Sequence, residues 1–176
     1  MTPSGLDTTT PEGVVLGEGA LSAGTLTAAN INPSTGLATD YLNHFNEVVM
    51  LMEMLPDMPD CAEDVLDWQP LDYCGHFRQS AFKDKDLAIL AYQASPRAVR
   101  VHLETLILQI DHAVMDAQDK LRAGADAQAC AAVAVLATGE IKPLIAAASG
   151  TIHGREEGED DFADETAQAD IDALFG

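Results

Sequence analysis

Basic residues are scarce in this chain. Nine Lys and Arg stand against 29 Asp and Glu, a formal net charge of −20 over 176 residues. Such a charge repels phosphate backbones and anionic bilayers, so nucleic acid and membrane are disfavoured as direct partners. No uninterrupted apolar run approaches 18 residues, and none is expected to span a bilayer. The first ten residues hold neither a base nor an apolar centre, so no secretory signal is visible and a cytoplasmic location is expected. Aromatics are only 5% of the chain, which makes any core aliphatic and alanine-rich. The three cysteines, Cys61, Cys74 and Cys130, form no Cys-x-x-Cys pair, and zinc-ribbon and thioredoxin-like readings lose their main support. An odd number of thiols without an export signal points to free, buried cysteines in a reducing compartment. There is no Gly-x-Ser-x-Gly, and the glycines at 13, 17 and 19 lack the Gly-Lys-Ser/Thr ending of a phosphate loop. No cofactor is expected.

The charge that is present is unevenly spread. Residues 1–33 hold three acids and no base, and are rich in Thr, Gly, Ser and Ala without a sustained period. They read as a flexible arm, with a brief extended contact at Val14, Val15 and Leu16. Residues 40–72 carry nine acids and no base, residues 73–142 balance eight against eight, and residues 155–176 carry nine acids and Arg155. The expected organisation is an arm over 1–33, a helical domain over 34–150 and an acidic tail over 151–176.

Helical periodicity runs through the domain. Tyr41, Phe45, Val48, Met52 and Leu55 recur at spacings of four and three, the stripe of a helix over 37–55 that packs on another helix. Ser34, Thr35 or Thr39 could cap it, and Pro56 and Pro59 stop it. Residues 48–52 are apolar almost all round and are expected at the centre. The methionines Met50, Met52, Met54 and Met58 offer either core packing or an adaptable recognition surface. Shorter helices are predicted over 61–68, 71–80 and 84–94, the last facing inward with Leu87, Leu90 and Ala91. Ser95-Pro96 then opens a helix of about 26 residues, with Ser95 expected as N-cap and Pro96 at the first helical position, where its missing N–H loses no hydrogen bond. Val99, Leu103, Leu106, Ile110, Ala113, Ala117 and Leu121 form its seam, and Gly124 ends it. Asp126 can cap a helix to about 138 whose residues 129–137 are apolar on every face and should be well buried. Gly139 and Pro143 interrupt it, and a helix resumes over 144–148. Alternating strand patterns are missing. The expected fold is an all-α helical bundle with a long central helix.

Candidate chemistry is sparse. Asp40, His44 and Glu47 fall at i, i+4 and i+7 on one helix, and His112 and Asp116 at i, i+4 on another. Two helices that each offer a His and a carboxylate could hold a metal, as bundle di-metal proteins do, although those use Glu-x-x-His on two helices. The same residues also fit a solvated face of local His–carboxylate pairs. His102, beside the apolar seam, is expected to be partly buried and hydrogen-bonded. Cys74 and His76 stand at i and i+2, and neighbours at that spacing do not face each other on a helix.

The C-terminal peptide is the most specific feature. Ala167, Ile171, Leu174 and Phe175 fall at i, i+4, i+7 and i+8 and make one apolar stripe, with Gln168, Asp170 and Asp172 on the other faces. Behind the acids of residues 156–161, such a short helix suits either a tethered ligand that folds in a partner's groove or a last helix docked on its own domain. Residues 168–175, Gln-Ala-Asp-Ile-Asp-Ala-Leu-Phe, resemble the short acidic amphipathic peptides of bacterial chemotaxis and flagellar switch proteins. The resemblance implies docking on a response-regulator receiver domain through Asp170, Ile171, Asp172, Leu174 and Phe175. In the chemotaxis phosphatases that carry such a peptide, an acid and a Gln four residues later act from a long helical hairpin. Here that spacing with Asp occurs only as Asp164 and Gln168, inside the tail.

The expected function is therefore a non-enzymatic helical regulator or adaptor that binds a signalling protein through its tail. The alternatives are a bundle metal protein or enzyme using His44, Glu47, His112 and Asp116, and a homo-oligomer paired through the first apolar helix.

Overall fold

The computed structural model describes residues 14–154, and among them it is all-α. A single bridge between Gly17 and Ser22 is the only extended pairing there. The helices are α1 (Ala23–Ala28), α2 (Asn43–Met54), α3 (Ala62–Asp67), α4 (Tyr73–Gln79), α5 (Lys85–Ala94), α6 (Arg97–Arg122), α7 (Ala127–Leu136) and α8 (Lys142–Ile152). A π-helical turn, Ala137–Ile141, joins α7 to α8 without a break, so Ala127–Ile152 is one rod. That rod touches both α6 and α2, and α3 touches the same two helices.

The long helices form where their apolar periodicity says they should. Tyr41, Phe45, Val48, Met52 and Leu55 are all buried. A 3-10 turn, Thr39–Leu42, precedes α2, and no side chain caps that helix. Thr35 instead donates to the carbonyl of Ile152 at 2.6 Å, and Asn32 Oδ1 accepts from the N–H groups of Ser34 and Thr35. The α6 seam from Leu103 to Leu121 is buried, and Lys120 and Arg122 occupy its last turn, where cations offset the carbonyl end of the dipole; at its start Pro96, not Ser95, stands at the N-cap, and no side chain caps the helix. Asp126 caps α7 by accepting from Ala129 N–H at 2.8 Å.

Four expectations need correction. Residues 21–31 are not an arm: Leu21, Leu26 and Ile31 are 1% exposed or less, and Ser22 caps α1. The run Ser-Ala-Gly-Thr-Leu-Thr-Ala-Ala is too short to show a period, yet its Leu26, flanked by Leu21 and Ile31, is enough to fill a gap in the bundle. At the other boundary the core runs past residue 150, because Thr151 and Ile152 are buried. Secondly, α7 is buried on one side only. Cys130, Val133, Ala137, Ile141, Ile145 and Ala148 face inward, while Val135 is 71% exposed. As a continuous rod, Ala127–Ile152 is long and apolar enough to cross a membrane, with 28% of that apolar window buried. Gly139 and Pro143 fail to break it because the π turn widens the helix by one residue just before Pro143. That is where the proline ring would otherwise meet the preceding carbonyl. Thirdly, Ala88 is fully buried on α5 beside Ala91, while Leu87 and Leu90 face the core as expected but stay half-buried. Fourthly, the apolar end of α2 is one-sided. Met52 is buried, Met54 is half-buried, and Met50 and Met58 are exposed.

One glycine is demanded by geometry. Gly36 sits at φ +75°, and a Cβ there would stand 2.7 Å from the Ala91 carbonyl oxygen. The loop before α2 can therefore lie against the α5 backbone only with glycine at that position.

Candidate functional site

The residues first suspected of metal chemistry do not converge. His44 and Glu47 line a groove with Trp68 and Gln69, and His112 and Asp116 line a different groove between α6 and α8 with His102 and Glu140. Among the described residues no group of three or more His, Cys, Asp and Glu is placed to hold a metal ion. His44 has a structural task. Its ring stacks on Trp68 at 4.8 Å, Nε2 donates to the Gln69 carbonyl at 2.8 Å, and Trp68 Nε1 returns a bond to the His44 carbonyl at 3.0 Å. Burial pushes the His44 imidazole below its usual pKa, opposed in part by the bond to the Gln69 carbonyl and aided by the neighbouring His76, which favours the neutral ring. His76 is turned toward Asp40, 2.9 Å from its carboxylate, and not toward Cys74. His102 is exposed and not, as expected, partly buried, because it falls just outside the α6 seam. Asp170, Ile171, Asp172, Leu174 and Phe175 lie outside the described residues.

What the fold does bring together was not apparent in the sequence. The chain has three tyrosines, and all three line one cavity of about 590 Å³. Tyr41 comes from the turn before α2, Tyr73 opens α4, and Tyr92 comes from the last turn of α5. The Asp72 side chain caps α4 by accepting from Gly75 N–H at 2.7 Å, which fixes where Tyr73 begins. Tyr73 and Tyr92 stack at 4.6 Å with 15° between their planes, and Tyr41 meets Tyr73 edge-on at 5.2 Å. The far wall is α6, through Leu103, Glu104, Ile107, Leu108 and Asp111, spaced three and four apart as one helical face.

Each tyrosine hydroxyl already has a partner. Tyr41 donates to the Leu71 carbonyl at 2.7 Å, Tyr73 accepts from Ala38 N–H at 2.8 Å, and Tyr92 donates to Glu104. Desolvation pushes all three phenols well above their ordinary pKa, so none serves as an acid or base near neutrality. Burial likewise pushes the Cys74 thiol up, which keeps it from acting as a thiolate. Asp111 is the exception. One of its carboxylate oxygens is closed off and has no hydrogen-bond partner. Desolvation raises its carboxyl to about 6, opposed only in part by His112. The lining holds no Lys or Arg.

The chain matches no protein-family model, no curated protein and no solved structure. The reading of function therefore rests on its own residues.

Proposed function

We propose that this chain is a non-enzymatic helical adaptor whose C-terminal peptide, residues 168–175, docks on a signalling protein. The partner class suggested by the resemblance is a receiver domain of the bacterial chemotaxis type. One observation carries the reading. Among the described residues the core runs from Leu21 to Ile152, and in the sequence Ile171, Leu174 and Phe175 fall at the spacing of one helical face behind the acids of residues 156–161. An amphipathic helix of this length is marginal alone and gains its order from the groove that receives it.

Burying Leu and Phe side chains in a groove is worth about 1.5–3 kcal/mol each. Replacing Leu174 and Phe175 together by Ala should weaken binding to a purified receiver domain by about two orders of magnitude or more, measured by calorimetry. The melting temperature of the full-length protein should stay nearly unchanged. A clear drop in stability with no loss of binding would assign the stripe to the chain's own core and end this reading.

A further inference from the structure

We propose that the solvent face of α6 pairs two copies of this chain, antiparallel, about a two-fold axis through Leu108. This goes beyond the docking role of the tail and does not depend on it.

Seven large apolar side chains stand exposed among the described residues, and three of them share one line on α6. Val101, Leu108 and Met115 are 49, 58 and 44% exposed, and a step of seven residues is nearly two helical turns, so they lie along one stripe. Thr105 and His112, both exposed, fill the positions between them and complete the four-three spacing of a helix-pairing seam. The buried seam of α6, from Leu103 to Leu121, occupies the other side of the helix. A groove against α4 and α5 on one side and a groove against α8 on the other leave the stripe standing as a ridge. The first apolar helix, α2, offers no comparable face, because Phe45, Val48, Val49 and Met52 are spent on the core.

The occupant follows from charge. At a net −20, two copies of this chain repel each other over most of their surface. Helix α6, by contrast, is neutral, with four bases and four acids, and a second copy approaches there against little repulsion. The order of those charges matches the helix to itself. Arg97 stands four residues before Val101 and Asp119 four residues after Met115, and both are exposed. The stripe therefore reads four, seven, seven, four, with a base at one end and an acid at the other. A two-fold axis through Leu108 sets Arg97 against Asp119 of the second copy, Val101 against Met115, Glu104 against His112, and Leu108 against itself. Every unlike pair then occurs twice, as an isologous contact requires. A parallel arrangement would oppose Arg97 to Arg97, Glu104 to Glu104 and Asp119 to Asp119, and like charges face to face are costly. The pair that Asp119 makes with Arg122 on its own helix is exposed and contributes little, so it does not hold that carboxylate back.

The test is sedimentation equilibrium of the full-length protein at about 0.15 M salt, where the Debye length is about 8 Å and long-range repulsion is screened. A single helix pair is at the small end of protein interfaces, so dissociation at about 1–100 μM is expected. The mass should rise from 18.6 kDa toward twice that value across this range. Leu108→Glu opposes two carboxylates at the axis and should weaken association at least about tenfold, with the melting temperature of the dilute monomer nearly unchanged. Val135→Glu places the same charge on the exposed side of α7 and should leave association within about twofold. Arg97→Glu alone and Asp119→Arg alone should each weaken association by about threefold or more, and the double variant should recover it to within about twofold. That recovery separates the antiparallel pair from the parallel one, in which each reversed charge would still meet its own copy. A chain that stays monomeric up to about 500 μM overturns the proposal. If Leu108→Glu then also lowers the melting temperature, the stripe is covered by a segment of its own chain. Dimerisation that survives Leu108→Glu but fails with Val135→Glu, or a double charge swap without recovery, overturns it equally.

Discussion

Asp111, Gln118 and Gly36 show how much of this protein rests on single side chains that no periodicity singles out. Gln118 sits in the α6 seam and is buried, and its amide donates to the carbonyls of Val65 and Trp68 at 2.9 and 2.8 Å. It thereby ties the end of α3 to α6 and satisfies two backbone groups where the chain leaves its helix. Asp111 is the opposite case, a carboxylate that gains no such bond. Its pKa stands near 6 in the folded state against 3.8 when exposed, so the folded protein holds the proton more tightly. Stability from this group is present at low pH and is lost as pH rises through about 6. Asp111→Asn should accordingly match the parent protein near pH 4 and surpass it progressively up to about pH 7. Urea unfolding midpoints across that range measure the difference. A gap that is constant with pH would mean that the carboxyl is not destabilised by its surroundings. In the sequence Asp111 is one acid of a balanced segment, and nothing local says that its oxygen will be shut in. The convergence of all three tyrosines is equally silent, because it depends on where the turn before α2, the start of α4 and the end of α5 are placed in space.

At the scale of elements, the long helices were legible and the irregular joints were not. Four-and-three spacing over 41–55 and 103–121 fixes both the helix and its buried face, because only one face repeats at that period. The Asp126 cap and the end of α6 at Gly124 are equally local signals. The rod Ala127–Ile152 is less buried than its sequence implies, because composition and burial are different quantities. A run of alanines looks apolar on every face, but small side chains need no partner to stay soluble, and this helix buries a single stripe. Its π turn belongs to the same lesson, since Pro143 is accommodated by a local widening that propensity does not foresee. The segment before residue 34 is too short for its sequence to show its structure. Six residues of α1 cannot display a helical period, yet Leu21, Leu26 and Ile31 are core. Each buried Leu or Ile contributes about 1.5–3 kcal/mol, and net stability is only about 5–15 kcal/mol. Removing residues 1–33 should therefore lower the unfolding free energy by several kcal/mol and yield a broad or absent thermal transition. A sharp melt at the full-length temperature would show that α1 is dispensable.

The whole molecule is governed by the imbalance of charge. Nine acids and no base fall in residues 40–72, and Asp57, Asp60, Glu63, Asp64, Asp67 and Asp72 are all exposed there. The three ion pairs formed by side chains among the described residues are His76–Asp40, Arg122–Asp119 and Lys142–Glu53. Surface pairs of this kind contribute little, so self-repulsion of the compact state is poorly offset. Raising KCl from low salt to about 1 M, where the Debye length falls to about 3 Å, should raise the melting temperature. A flat or falling response would mean that repulsion is already relieved within the fold. The acidity, the absence of strands among the described residues and the long α6 follow from the sequence by itself, because each is set by residue types or by spacing along one helix. The boundary of the core, the one-sided burial of the α7–α8 rod, the separation of His44 from His112 and the tyrosine cavity around Asp111 were decided only by the tertiary structure. Each depends on which faces of distant helices meet, and burial, desolvation and pairing exist only once those faces are in contact.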